Sequence, residues 1–150
     1  MKTMKFSMKA LMAMLLFCLP LAMTSCGSDD DKDDSGPKKY EYNWTIEDAD
    51  NGTTTAERQD NLAEQAQLST KLAAAITTTG TGNGVVANAT AQTFSFTGTK
   101  TQQEYDNLVK SAFYQFKSQI MAMTFKTLPS GTRVTIKRGG STVISEKIFN

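Results

Sequence analysis

Few side chains in this sequence could do chemistry, and their spacing limits what that chemistry could be. Glu47, Asp48 and Asp50 fall on one short stretch. Hydrolysis by paired carboxylates needs two acids held roughly 5–9.5 Å apart across a cleft. Neighbouring acids on a turn are instead solvated loop formers. A hydrolase acting on glycans or peptides would therefore need Glu47, Asp48 or Asp50 to face Glu104, Asp106 or Glu146 across a groove. With Asn51, the same acids match part of a calcium loop. The fifth position, however, falls on Gly52, and no Gly follows at the sixth. Gly80-Thr81-Gly82-Asn83-Gly84 suggests a phosphate cradle, but it follows a helical pattern rather than a strand and lacks the Lys of a P-loop. The chain has no His, and both of its cysteines, Cys18 and Cys26, lie within the first 26 residues. The rest of the sequence therefore excludes imidazole acid–base catalysis, thiolate nucleophiles, disulfides and thiolate zinc sites. The expectation is a non-catalytic chain with no catalytic residue, no cofactor and no metal site.

The first residues read as an address. Residues 1–9 are basic through Lys2, Lys5 and Lys9, and six of the eight methionines fall within the first 23 residues. Residues 10–23 (ALMAMLLFCLPLAM) form an apolar run of 14, interrupted by Pro20. A spanning helix needs roughly 18 or more apolar residues, so this run has the length of a signal h-region. Met23-Thr24-Ser25-Cys26-Gly27 follows, and then Ser28, Asp29, Asp30, Asp31, Lys32, Asp33 and Asp34. Five Asp within six residues repel one another and cannot pack, so this stretch is a solvated tether.

Met23-Thr24-Ser25-Cys26-Gly27 resembles a lipobox, with Met23 where Leu is usual. Together with the Ser28–Asp34 run it is similar to the N-terminus of Bacteroides-type surface lipoproteins. The resemblance covers residues 1 to about 34 and implies that Cys26 carries diacylglycerol and becomes the new N-terminus. It also implies that the acidic run is an export signal to the outer leaflet of the outer membrane. The alternative is a plain acidic spacer that leaves the protein facing the periplasm as a structural or assembly lipoprotein. Removing residues 1–25 would leave 13 basic against 15 acidic side chains, a net charge of −2 rather than +1. Two or three acyl chains, at about 0.8 kcal/mol per buried methylene, hold a protein on a bilayer essentially permanently. The expected organisation is a signal peptide over 1–25, a lipidated acidic tether over 26–39 and one domain over 40–150.

What must position any site is the pattern from Tyr40 onward. Tyr40, Tyr42, Trp44 and Ile46 alternate with polar residues, which predicts a strand with one buried side. Thr54 and Glu57 form a capping box that opens a helix whose apolar stripe is Leu62, Ala66, Ser69, Leu72, Ala73 and Ile76, ending at Gly80. Residues 81–92 read as a loop, and Phe94 and Phe96 mark a second strand. A second capping box, Thr101 with Glu104, opens the strongest helix. Its stripe runs Tyr105, Leu108, Val109, Ala112, Phe113, Phe116, Ile120 and Met123, and Pro129-Ser130-Gly131 stops it. Residues 133–138 and 142–149 form a hairpin, for which a three-residue loop sets Ile136 opposite Ile144. The fold class is α+β: a β-α-β-α-β-β two-layer sandwich with two helices on one face of a four-stranded sheet. The opposite sheet face would show Glu41, Thr45, Thr93, Ser95, Arg133, Thr135 and Lys137.

Charge divides the domain. Residues 40–99 carry two basic and seven acidic side chains, whereas residues 100–150 carry eight basic and three acidic. Complementarity within one domain accounts for this pattern. A functional reading makes Lys126, Arg133, Lys137, Arg138 and Lys147 a basic pole for an anionic partner such as a sulfated or uronic glycan or the membrane's acidic lipopolysaccharide. Nucleic acid is not an expected partner, because the domain is neutral overall. The reading is thus a lipid-anchored binding or accessory module for a partner protein or glycan.

Overall fold

The computed structural model describes residues 36–47 and 54–149. These belong to one unit of the chain, Ser35–Asn150. Cys26, the Ser28–Asp34 run and the signal segment lie outside the described residues, as do Asp48, Asp50 and Asn51.

The alternation beginning at Tyr40 becomes strand β1 (Lys38–Glu47), with Tyr42 and Trp44 buried and Glu41, Asn43 and Thr45 exposed. The strand begins two residues before Tyr40. Lys38 and Lys39, which look like linker in the sequence, pair with Gly98 and Thr97. Helix α1 (Thr55–Thr79) starts at the Thr54–Glu57 capping box and ends against Gly80. Strand β2 (Val86–Asn88), strand β3 (Thr93–Gly98), helix α2 (Gln102–Ile120), strand β4 (Arg133–Arg138) and strand β5 (Ser141–Lys147) follow. The sheet is antiparallel in the order β2-β3-β1-β4-β5. β1 is shared: its first half pairs with β3 and its second half with β4, with Asn43 opposite both Thr93 and Lys137.

The sheet therefore has five strands rather than four. The extra strand, β2, lies inside the stretch that reads as a loop, because three residues are too few to show a period of two. It exists because the outer edge of β3 offers unpaired backbone groups, and Val86, Ala87 and Asn88 align with Ser95, Phe94 and Thr93.

Three further expectations shift. The buried stripe of α1 is Leu68, Ser69, Leu72, Ala75 and Ile76, and Leu62 is 65% exposed. The first turns of α1 lie against the segment after α2 instead of the sheet, so the stripe starts later. α2 stops at Ile120, well before Pro129. Within residues 121–132 the amides of Lys126, Thr127 and Leu128 are taken by Glu64 of α1, and Phe125 packs on Phe149 with ring centroids 5.3 Å apart. In the hairpin, Ile136 does face Ile144, but the loop is the two-residue Gly139-Gly140, with Arg138 opposite Ser141. A bulge after Ile136 absorbs the difference in register. Gly139 has φ +57 while Gly140 does not have a positive φ, the pattern of a II′ turn, which places Gly first.

Both helices cover the same face. Tyr42, Trp44, Phe94, Phe96, Val134 and Ile136 pack beneath Leu68, Leu72 and Ile76 of α1 and Val109, Phe113 and Phe116 of α2, all at most 3% exposed. The aromatic side of β1 thus lies in the core. Trp44 and Tyr42 are not surface stacking platforms.

Candidate functional site: the uncovered sheet face

A period of two places every second residue of the sheet away from the helices, and five adjacent strands extend that pattern into a continuous face. Cross-strand rows follow from the register. Val86, Ser95 and Glu41 form one row, and Asn88, Thr93, Asn43, Lys137 and Thr142 form the next. Thr45, Thr135 and Ser145 form a hydroxyl row, and Glu47, Arg133 and Lys147 close the face. Thr135 and Ser145 hydroxyl oxygens are 2.8 Å apart. The seven residues expected on this side all occupy it.

The five basic residues of the expected pole separate. Arg133, Lys137 and Lys147 lie on the uncovered face, with Arg133 directly between Glu47 and Lys147. Arg133 Nη1 donates to the Ser145 carbonyl at 3.1 Å and to its Oγ at 3.4 Å, which fixes the guanidinium over β5. Arg138 alternates to the helix side, where its Nη2 meets Asp106 Oδ2 at 3.3 Å. Lys126 sits in the segment between α2 and β4, off the sheet. The structure therefore brings three of the five together.

The acids also have separate structural roles. Asp106 ties the start of α2 to β1 and β4, accepting from Tyr42 Oη at 3.0 Å while pairing with Arg138. Burial, and then the Asp106 hydrogen bond and charge, hold the Tyr42 phenol far above its ordinary pKa. Glu146 Oε1 accepts from Tyr114 Oη at 2.8 Å, and its Oε2 lies 3.3 Å from Lys117 Nζ. The Tyr114 bond chiefly lowers the Glu146 pKa; partial burial opposes it and Lys117 adds to it. Glu104 caps α2 through the N–H and hydroxyl of Thr101. Glu47 lies on the uncovered face, opposite in aspect to Asp106. Asp106 and Glu146 thus pair with cations from their own half of the sequence. Glu64 links the acidic half to the basic half through backbone amides, a contact that no spacing in the sequence announces. Among the described residues no cluster of three or more His, Cys, Asp or Glu could hold a metal ion.

Compared with known proteins, the chain matches no family model, no curated protein and no solved structure.

Proposed function

We propose that this chain is a non-catalytic, lipid-anchored outer-membrane module that presents the uncovered face of its sheet to an anionic glycan outside the cell. The observation that carries this reading is the Arg133–Lys147 pair with Lys137 on the same face. Like charges directly opposite one another on a sheet are destabilising. Glu47 offsets Arg133 from one side only, and a sulfate or uronate would offset Lys147 and Lys137 from above. The flanking hydroxyls and amides of Thr45, Ser145, Asn43 and Asn88 suit the hydroxyls of the same polymer. Cys26 and the acids that follow it supply the anchor and the export signal.

Binding of full-length protein to a sulfated and a uronic polysaccharide, measured across a salt series, tests the ligand. Wild type should bind, more weakly as salt rises. The double change Lys137→Glu with Lys147→Glu should weaken binding tenfold or more, because it removes two cations and adds two anions while leaving the Arg133 hydrogen bonds in place. Equal binding by that variant would overturn the reading of the face.

Location is tested separately by protease accessibility on intact cells. Wild type should be shaved, a variant with the five acids of residues 29–34 changed to Ala should be protected, and Cys26→Ala should leave the membrane fraction. Protection of wild type and variant alike would place the module, and its partner, in the periplasm.

A further inference from the structure

At the β2 edge of the domain, away from the uncovered face, α1 and the β2–β3 turn enclose a groove of about 300 Å³. That is the lower end of the size range of small-molecule clefts. Every described residue that lines it is uncharged. Its floor is Ser69, 4% exposed, whose Oγ receives Trp44 Nε1 from the core and Gln92 Nε2 from the turn, each at 3.3 Å. Gln92 is the one non-glycine residue with positive φ, +54, among the described residues. Its carbonyl accepts the Trp44 N–H at 3.0 Å, so the backbone and side chain of Gln92 are fixed from two directions. A conformation of that kind persists only where the surroundings hold it in place.

Part of the hydrogen-bonding capacity of this groove is spent inside the protein. Gln92 Nε2 goes to Ser69, Gln65 Nε2 goes to Asn61 Oδ1, and the Thr70 hydroxyl donates to the Ala66 carbonyl at 2.9 Å. Left over are the second N–H and the Oε1 of each Gln, the Thr70 lone pairs and the Thr90 hydroxyl, a mixed set of donors and acceptors. Among the described residues that line the groove, an anion would find no cation and a cation no carboxylate. What fits is a neutral ligand rich in hydroxyls, which both donate and accept, with one apolar side for Leu62, which is 65% exposed at the groove. We infer that this groove is a binding subsite for one ring of an uncharged saccharide, its hydroxyls donating to Gln65, Gln92 and Thr70 and its C–H face resting on Leu62. The inference is independent of the anionic face proposed above, since the two share no residue.

Trp44, the only tryptophan of the chain, is bonded to the groove floor and is a built-in reporter. The test titrates full-length protein in detergent with maltohexaose, cellohexaose and mannohexaose, following Trp44 fluorescence and heat. At least one should give a saturable change in both signals. Leu62→Asp, at an exposed position, should weaken that binding tenfold or more without changing the melting temperature, and Thr90→Ala should weaken it less. Lys137→Glu with Lys147→Glu should leave it intact, which separates this subsite from the sheet face. Absence of a saturable response to all three probes at millimolar concentration would overturn the inference. So would unchanged binding by Leu62→Asp.

Discussion

Glu64→Ala should destabilise the domain by about 2–3 kcal/mol, the expected cost of removing a charged acceptor shared by several donors and partly screened by water. Residues 121–132, between α2 and β4, form no helix or strand. Glu64 of α1 holds them: Oε1 accepts the Lys126 N–H at 2.7 Å, and Oε2 accepts the N–H groups of Thr127 at 2.9 Å and Leu128 at 3.1 Å. The Thr127 hydroxyl donates to the same oxygen at 2.7 Å, and Asn61 Nδ2 reaches the Thr127 carbonyl at 3.4 Å. Without the carboxylate, three backbone donors lose their partner at once. Urea midpoints measure the cost, and hydrogen exchange at residues 126–128 should accelerate more than exchange in the sheet. Unchanged exchange there would mean that something other than Glu64 orders the segment.

The same contact gives a pH dependence of known sign. Burial pushes the Glu64 carboxyl up, but the Thr127 hydroxyl and the three amides together outweigh it and hold the pKa below the ordinary value of 4.5. A folded pKa below the unfolded one contributes stability that is fully present above the unfolded value and is lost as pH falls through the folded value. The stability gap between wild type and Glu64→Gln should therefore be constant near neutrality and shrink below about pH 4.5, where Glu64 of the unfolded chain takes up a proton that the folded protein still resists. A gap that widens on acidification would contradict this account.

Gly98→Ala should cost about 1–3 kcal/mol, the usual penalty for forcing an extra carbon into a filled core. A Cβ on Gly98 would collide with the Tyr105 hydroxyl oxygen. Tyr105 cannot yield, because its ring stacks on Phe96 at 5.2 Å and 13° and leans on Tyr40 at 5.2 Å, with the whole side chain fully buried. That hydroxyl has no hydrogen-bond partner among the described residues. Removing an unpaired buried polar atom is neutral or stabilising, so Tyr105→Phe should equal or exceed wild type. Combined with Gly98→Ala, it should recover most of the loss, giving a coupling energy of about 1 kcal/mol or more in a double-mutant cycle. Strict additivity would show that the alanine acts through the β3 backbone and not through Tyr105.

How much of this was legible from the sequence depended on how local the cause was. The two capping boxes each lie within four residues, and both helices start where those boxes predict. The alternation in β1 depends only on side chains pointing to opposite faces, so Trp44 could be assigned to the core from spacing alone. The pairing of Ile136 with Ile144 was legible for the same reason, whereas the loop between them was not, because a bulge can change the loop length without moving that pair. β2 was hidden because it is short and takes its order from the edge of β3.

The parts that concern function were the least local. Composition limited the chemistry, since a sequence with no His and no Cys beyond residue 26 cannot supply either group to a site. Charge counting placed an excess of cations in the second half, but only the register could divide them. Alternation sends Arg133 and Lys137 to the uncovered face and Arg138 to Asp106, and pairing with β5 brings Lys147 beside Arg133. The groove at Ser69 joins residues from β1, α1 and the β2–β3 turn, 25 and 23 positions apart. The sequence by itself determined which groups were present and which face of each element was apolar, because those depend on residue type and period. The tertiary structure decided which polar groups meet, because contacts such as that of Glu64 with residues 126–128 arise only once helix and sheet have packed.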